Sequence, residues 1–184
     1  MNFIPRVLES REVFRGRVFS VRVDELEYED GTTHRVDVVE HGASLAILAT
    51  PSPGRIVLVR QYRHPARTSL WELPAGTSEP GESPADGARR ELLEETGYRA
   101  GRLRLIGSFW MTPGFCSEIM HIFHADELVE GAPAFDDDER IEIGTYTFEA
   151  AWRLVANGAA DAKTMLGLSC LKGAGGEIGT LDSR

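Results

Sequence analysis

The rhythm of apolar and polar positions changes along this chain. From Val18 to Tyr28 the two classes alternate, the period of a strand with one covered face. Glu29-Asp30-Gly31 supplies turn residues, and Thr33 to Val39 returns in the same period, so residues 11–40 read as an antiparallel meander. So small a sheet cannot bury much surface by itself and needs the main domain or a second copy of the chain against it. From Ala43 the apolar runs become denser. Ser44–Ala49 and Arg55–Gln61 read as strands paired around Pro51-Ser52-Pro53-Gly54, and Ser69–Leu73 as a shorter one. Further strands are expected at Arg102–Met111, Ile119–Ala125 and Ile141–Phe148, with helices near Glu149–Asn157 and Ala162–Leu171. Strands interleaved with a few helices predict an α/β (α+β) protein, a mixed β-sheet sandwiched between helices and preceded by a small N-terminal antiparallel sheet. The expected division is 1–42 for that extension, 43–172 for the main domain and 173–184 for a glycine-rich flexible tail.

Between Ser83 and Thr96 the period becomes helical. Ala85, Ala88 and Leu92 form an apolar arc, and Glu91, Glu94 and Glu95 fall on an adjoining arc about 100° wide. Like charges three and four residues apart repel and weaken an isolated helix. A helix that keeps them beside its buried face is expected to have a positive counterpart. Hard divalent cations prefer oxygen ligands, which makes Mg²⁺ or Mn²⁺ the natural candidate. Ser83 is placed to cap this helix and Pro84 falls in its first turn. Arg90 cannot lose its proton and suits an internal counterion that holds Glu82 and orients the carboxylates.

Gly76 is followed by five residues and Glu82, then by seven residues and the run Arg90-Glu91-Leu92-Leu93-Glu94-Glu95-Thr96-Gly97-Tyr98. This spacing resembles the Nudix box, although its last position is usually aliphatic and is Tyr98 here. Val57 to Pro65, Trp71-Glu72-Leu73-Pro74-Ala75-Gly76 and Met111 to Glu118 are similar to the ADP-ribose pyrophosphatase branch of that superfamily, and Pro113 stands 15 residues beyond Tyr98. The resemblance implies the Nudix fold for residues 10 to 172 or so. It also implies that Glu91 and Glu95 are principal metal ligands, that Glu94 shares an ion or contacts it through water, and that the Ala75 carbonyl is a further ligand, around two or three ions per site. The small N-terminal sheet is typical of the branch and implies a homodimer.

The chemistry implied is Mg²⁺-dependent hydrolysis of ADP-ribose to AMP and ribose 5-phosphate. Alternatives are another nucleoside diphosphate-sugar such as GDP-mannose, or a silent ADP-ribose-binding regulatory module on the same fold. Metal-bound carboxylates are poor bases, because a cation lowers their pKa. The run Asp136-Asp137-Asp138-Glu139 is therefore the expected source of a general base, Glu139 first and Asp137 second, with Glu139 also touching metal. Arg63 matches the arginine that approaches the pyrophosphate, for which a guanidinium fork is suited. Glu118 matches an acid near the ribose. Arg35 and Phe19 match residues that reach a phosphate and stack on adenine.

Composition narrows the field without redirecting it. Hydrophobic residues make up 42% of the 184, enough for a core. The net charge of −9 disfavours nonspecific binding to nucleic acid or anionic membranes. Cys116 and Cys170 read as unpaired thiols. His34, His41, His64, His121 and His124 make no metal spacing and are expected to be structural or incidental, while Trp71 and Trp110 fit strand packing better than cofactor stacking. With no apolar leader region and no long apolar run, a soluble cytoplasmic protein is the expectation.

Overall fold

The structure is a computed structural model that describes residues 4–133, 140–158 and 160–173. The described residues gather into two units, one built on the residues up to Ala43 with Phe109–Met120, the other on Ser44–Ser108 with those from His121 onward.

The smaller unit holds β1 (Arg6–Arg15), β2 (Phe19–Glu27) and β3 (Thr33–His41) in one antiparallel sheet, order β1-β2-β3. The β2–β3 turn is closed by Gly31, at φ +80, whose N–H donates to the Tyr28 carbonyl. The strand β1 begins ahead of the expected meander, and every one of its residues is exposed. Apolar alternation therefore does not produce a buried face within this sheet. Its buried residue is Asp24, whose carboxylate takes Arg22 at 3.0 Å. The segment 109–120 docks on β3 through Val39, whose N–H donates to the Phe115 carbonyl and whose carbonyl accepts from Ser117.

The larger unit holds β4 (Ser44–Ala49), β5 (Arg55–Arg63), β6 (Thr68–Glu72), β7 (Ala75–Thr77), α1 (Pro84–Thr96), most of β8 (Tyr98–Trp110) and β9 (Ile119–Glu130), β10 (Glu142–Thr147), α2 (Phe148–Ala156) and α3 (Ala162–Gly173). Two sheets form, ordered β7-β4-β9-β8 and β10-β5-β6. All residues of β4 are buried, as a strand covered on both faces requires. Its two faces serve different helices. Leu45, Ile47 and Ala49 join Phe123 and Ala125 of β9 beneath Ala88 and Leu92 of α1. On the other side Gly167 of α3 packs against Leu73 and Ile122 so closely that a Cβ there would lie 2.5 Å from a Leu73 methyl. Helices thus cover both faces, in agreement with the α+β sandwich expected. The expectation omitted β7, three residues paired with β4 in the register Leu45 to Gly76. No helix among the described residues is long and apolar enough to cross a membrane.

Candidate active site

The helix α1 is fixed at both ends by its own sequence. The Ser83 hydroxyl accepts from the Asp86 N–H at 3.2 Å, and Pro84 occupies the first turn, where an N–H is not needed. At the other end Gly97 takes φ +77 and donates its N–H to the Leu93 carbonyl. That is a left-handed cap, which glycine adopts without strain. Between these ends one face packs on β4 and β9, and the adjoining arc presents the carboxylates.

Arg90 organises that arc. Its Nε and Nη2 donate to the two oxygens of Glu82 at 3.0 and 3.1 Å. Nη1 donates to Glu91 at 2.8 Å and to Glu94 at 2.9 Å, and Nη2 also reaches the Thr77 carbonyl. All three guanidinium nitrogens are used, in a fork geometry that a lysine ammonium cannot reproduce. The surrounding carboxylates, Glu82 foremost, raise the Arg90 pKa. In return the Arg90 hydrogen bonds hold the Glu82 carboxyl below its ordinary range. The repulsion along the helix is thus relieved by a cation within the same helix.

Gly76 explains itself by contact. A Cβ on it would lie 2.1 Å from the Glu91 carboxyl, so the Glu91 side chain lies directly against the bare backbone of β7. Gly87 does the same for packing, since a Cβ there would strike a Leu45 methyl at 2.5 Å. Glu95 is buried and accepts from the Ala75 N–H at 2.9 Å. The strand β7 and the helix α1 therefore bring Ala75, Gly76, Glu82, Arg90, Glu91, Glu94 and Glu95 into one place. Their donors are hard oxygens, which suits a divalent cation. Among the described residues no three His, Cys, Asp or Glu side chains are already grouped as a metal cage. Arg90 draws Glu91 and Glu94 to itself, and ions of this class commonly complete their shells with water and substrate phosphates.

Sequence reasoning missed the support behind this site. Glu72, buried to 1% exposure, accepts both arms of Arg63 at 2.8 and 2.7 Å and also takes Lys163 of α3 at 2.5 Å. Lys163 in turn contacts Asp161, and the Thr164 hydroxyl accepts from the Leu73 N–H at 2.9 Å. The start of α3 is thereby locked to the segment that leads into Ala75. Arg63, expected at the pyrophosphate, is half exposed beside this network, and the Glu72 hydrogen bond is the main cause of its raised pKa. In sequence Glu72 is one polar residue of β6 beside Thr68 and Ser69, and spacing alone does not single it out.

Of the other expected residues, Phe19, Arg35 and Glu118 belong to the smaller unit. Phe19, in the smaller unit, packs its ring 5.9 Å from that of Phe14. Arg35 faces Glu25 across the β2–β3 register. The Glu118 carbonyl accepts from the Met111 N–H. Asp137 and Glu139 lie outside the described residues. Trp71 packs edge-on against Tyr146 with Arg60 over its ring, a packing role.

Residues 40–166 match the NUDIX domain. The chain is 37% identical over 170 residues to the ADP-ribose pyrophosphatase of Bacillus subtilis (strain 168), covering 91% of this chain and 92% of that protein. It is 35% identical over 173 residues to the methanol dehydrogenase activator of Bacillus methanolicus, covering 92% and 94%. Among solved structures, an ADP compounds hydrolase superposes with a TM-score of 0.82 over 94% of this chain and 97% of that one, at 24% identity, a likeness of fold. With the box helix, its arginine hub and its glycine contact all in place, the chain belongs to the NUDIX domain family.

Proposed function

We propose that this protein hydrolyses the pyrophosphate bond of ADP-ribose, releasing AMP and ribose 5-phosphate, with Mg²⁺ as cofactor. The observation that carries the reading is the row of Glu91 and Glu94 held by Arg90, with Glu91 against Gly76 and Glu95 held by the Ala75 N–H. Similarity to an ADP-ribose pyrophosphatase over nine-tenths of the chain supports the substrate. Water adds its oxygen to one phosphorus, the bridging P–O bond breaks, and the two protons of water are shared between the phosphate products and solvent.

Glu91, Glu94, Glu95 and the Ala75 carbonyl would hold the ions, two or three in number. Bound there, divalent cations neutralise phosphate oxygens and make water more acidic. The chain's own groups position and orient. Arg90 holds Glu91 and Glu94 to one side of α1. The Ala75 N–H fixes one oxygen of Glu95. Arg63, held in a fork by Glu72, keeps part of its guanidinium exposed for phosphate oxygens. Glu139, with Asp137 second, takes the proton from water in this reading. The extension 1–42 joins two copies into a homodimer, a role supported by exposed Val7, Val13, Phe14 and Phe19.

The test is release of AMP from ADP-ribose with Mg²⁺, run beside GDP-mannose. Faster turnover of GDP-mannose would replace the substrate assignment. Tight binding of ADP-ribose without AMP release would favour a regulatory module. Glu95→Gln keeps an acceptor for the Ala75 N–H and is expected to lower kcat roughly 10²- to 10³-fold with the fold unchanged. An unaltered rate would remove Glu95 from the site.

A further inference from the structure

The face of the β7-β4-β9-β8 sheet that turns away from α1 ends in polar residues. Leu45, Ile47, Ala49, Phe123 and Ala125 lie under α1, so the alternate positions of β4 and β9 face the other way. Along that opposite face Leu48 and Ile122 are fully buried, and next to them come Thr50, His124 and Asp126. Arg102 and Arg104 of β8 stand beside these, Arg102 forking Asp126 at 2.7 and 2.9 Å. A charged ladder at the end of an apolar sheet face is the informative kind of exception.

The ladder is directional. Arg104 Nη2–H donates to His124 Nδ1 at 3.1 Å, and arginine has no acceptor, so Nδ1 carries no proton. His124 Nε2–H then donates to the Thr50 hydroxyl at 2.8 Å, whose own proton goes to the Ala125 carbonyl. The imidazole is thus neutral. Burial, the largest influence, favours that form, Asp126 opposes it, and Arg104 and Arg102 support it.

This ladder lines a cavity of about 770 Å³ in the larger unit. Pro51, Pro53, Ile56, Phe148 and Leu171 give it an apolar wall. Among the described residues, Arg55, Arg102, Arg104 and Lys172 meet Asp126 and Glu127 around it, two more positive charges than negative, within a chain of net charge −9. Asp126 and Glu127 bind Arg102, and Asp126 also pairs with Arg104. Arg55 and Lys172 have no acidic partner among the described residues, and Lys172 lies 4.9 Å over the Trp152 ring. The volume falls in the range of small-molecule sites, roughly 300–1,000 Å³.

We propose that this cavity is a second ligand site, separate from the carboxylate row of α1, for an organic phosphate monoester carrying a flat ring. The two excess charges match a dianionic phosphate, with Arg55 and Lys172, which have no acidic partner among the described residues, as its cations, and the proline and phenylalanine wall takes the ring. No group named here belongs to the machinery of α1.

The test follows the His124 ring resonances of the full chain by NMR, assigned by their loss in His124→Gln. AMP is titrated without divalent cation, with ribose 5-phosphate and adenosine as controls. Saturable movement of the His124 signals by AMP is expected, with the two controls weaker. Reversing charge in Arg55→Glu with Lys172→Glu is expected to weaken that response roughly 10- to 100-fold while ADP-ribose turnover stays at its basal value. His124 signals unmoved by millimolar AMP would overturn the proposal, as would an unchanged response in the doubly reversed variant. Adenosine binding as tightly as AMP would remove the phosphate from it. Because the NMR reading needs no turnover, it decides this site even if ADP-ribose proves not to be hydrolysed.

Discussion

Arg90 and Glu72 each anchor a cluster of opposite charges in the larger unit, and the two clusters draw on different stretches of the chain. Arg90 finds Glu82 eight residues away, Glu94 four residues away and the Thr77 carbonyl thirteen away. Glu72 finds Arg63 nine residues away and Lys163 ninety-one residues away. The first cluster is a helix talking to the loop before it. The second exists only once α3 has folded back onto the end of β6. They differ in depth as well, since the Glu72 side chain is 1% exposed and that of Arg90 24%. Water can replace a lost partner at Arg90. At Glu72 it cannot, so removing that carboxylate leaves buried Lys163 with Asp161 as its remaining acid.

The deep cluster therefore carries the largest expected effect. Glu72→Ala leaves Lys163 with Asp161 as its remaining acid and Arg63 without its fork, and should cost about 3 kcal/mol of stability, the low end for a broken buried pair, read from urea unfolding midpoints. Glu72→Leu combined with Lys163→Met removes both buried charges and should recover part of that loss, since Asp161 and Arg63 each lose a partner. A cost below about 1 kcal/mol for the single variant would place Glu72 with the solvated pairs and erase the contrast in depth.

Next comes the local cluster at its tightest contact. Gly76→Ala puts a Cβ where the Glu91 carboxyl now lies, 2.1 Å from it. The side chain can swing away, so the fold should survive while the carboxylate moves. A displacement of this size is expected to lower ADP-ribose turnover by about 10²-fold, with the thermal midpoint shifted by only a few degrees. Turnover within twofold of the parent would show that Glu91 does not need its present position.

These two clusters also show what could be read in advance. Ser83, Pro84, Arg90 with Glu82, Gly76 and Gly97 were all legible, because each job is stated by spacing within one helix and its flanks. The three residues of β7 were not, since so short a strand has no period to detect. Nor was β1, whose wholly exposed residues give no one-sided pattern. The role of Glu72 depends on Lys163, and the order Arg104, His124, Thr50 depends on three strands lying side by side. His124 was expected to be structural or incidental, and in sequence it shows only a distance from His121. The expected reservoir at Asp137 and Glu139 lies outside the described residues and stays a matter of proposal.

Arg90→Lys sharpens the comparison at a smaller scale. The charge stays, but one ammonium cannot serve Glu82, Glu91 and Glu94 together as the fork does. A loss of about 1–2 kcal/mol is expected, as the net worth of one or two charged hydrogen bonds. Calorimetry would read it as a modest fall in Tm, and turnover should fall with it because Glu91 and Glu94 lose their common anchor. No change in either would mean that charge alone, without the fork, orders the row.

The smallest effect concerns the polar ladder, where distance along the chain and burial are combined in one titrating group. His124 is buried, and its pKa in the folded protein lies below the ordinary histidine value of 6.5. The unfolded chain therefore takes up a proton before the folded one does. Between the unfolded and folded pKa values the unfolded state binds more protons, so stability rises with pH across that window and falls as acid is added below about 6.5. Protonation would also place a hydrogen on Nδ1, facing the Arg104 guanidinium, and break the donor order that runs to Thr50. Asp126, 3.6 Å from Nδ1, offsets part of this, while Arg104 and Arg102 add to it. The loss should be on the order of 1 kcal/mol, comparable with one net hydrogen bond. His124→Gln retains a donor and an acceptor but cannot titrate, so its urea midpoint should depend less on pH than the parent's between neutral and mildly acid conditions. Equal slopes for the two proteins would mean that the imidazole is as easily protonated in the folded chain as in the unfolded one, and that the ladder does not hold it neutral.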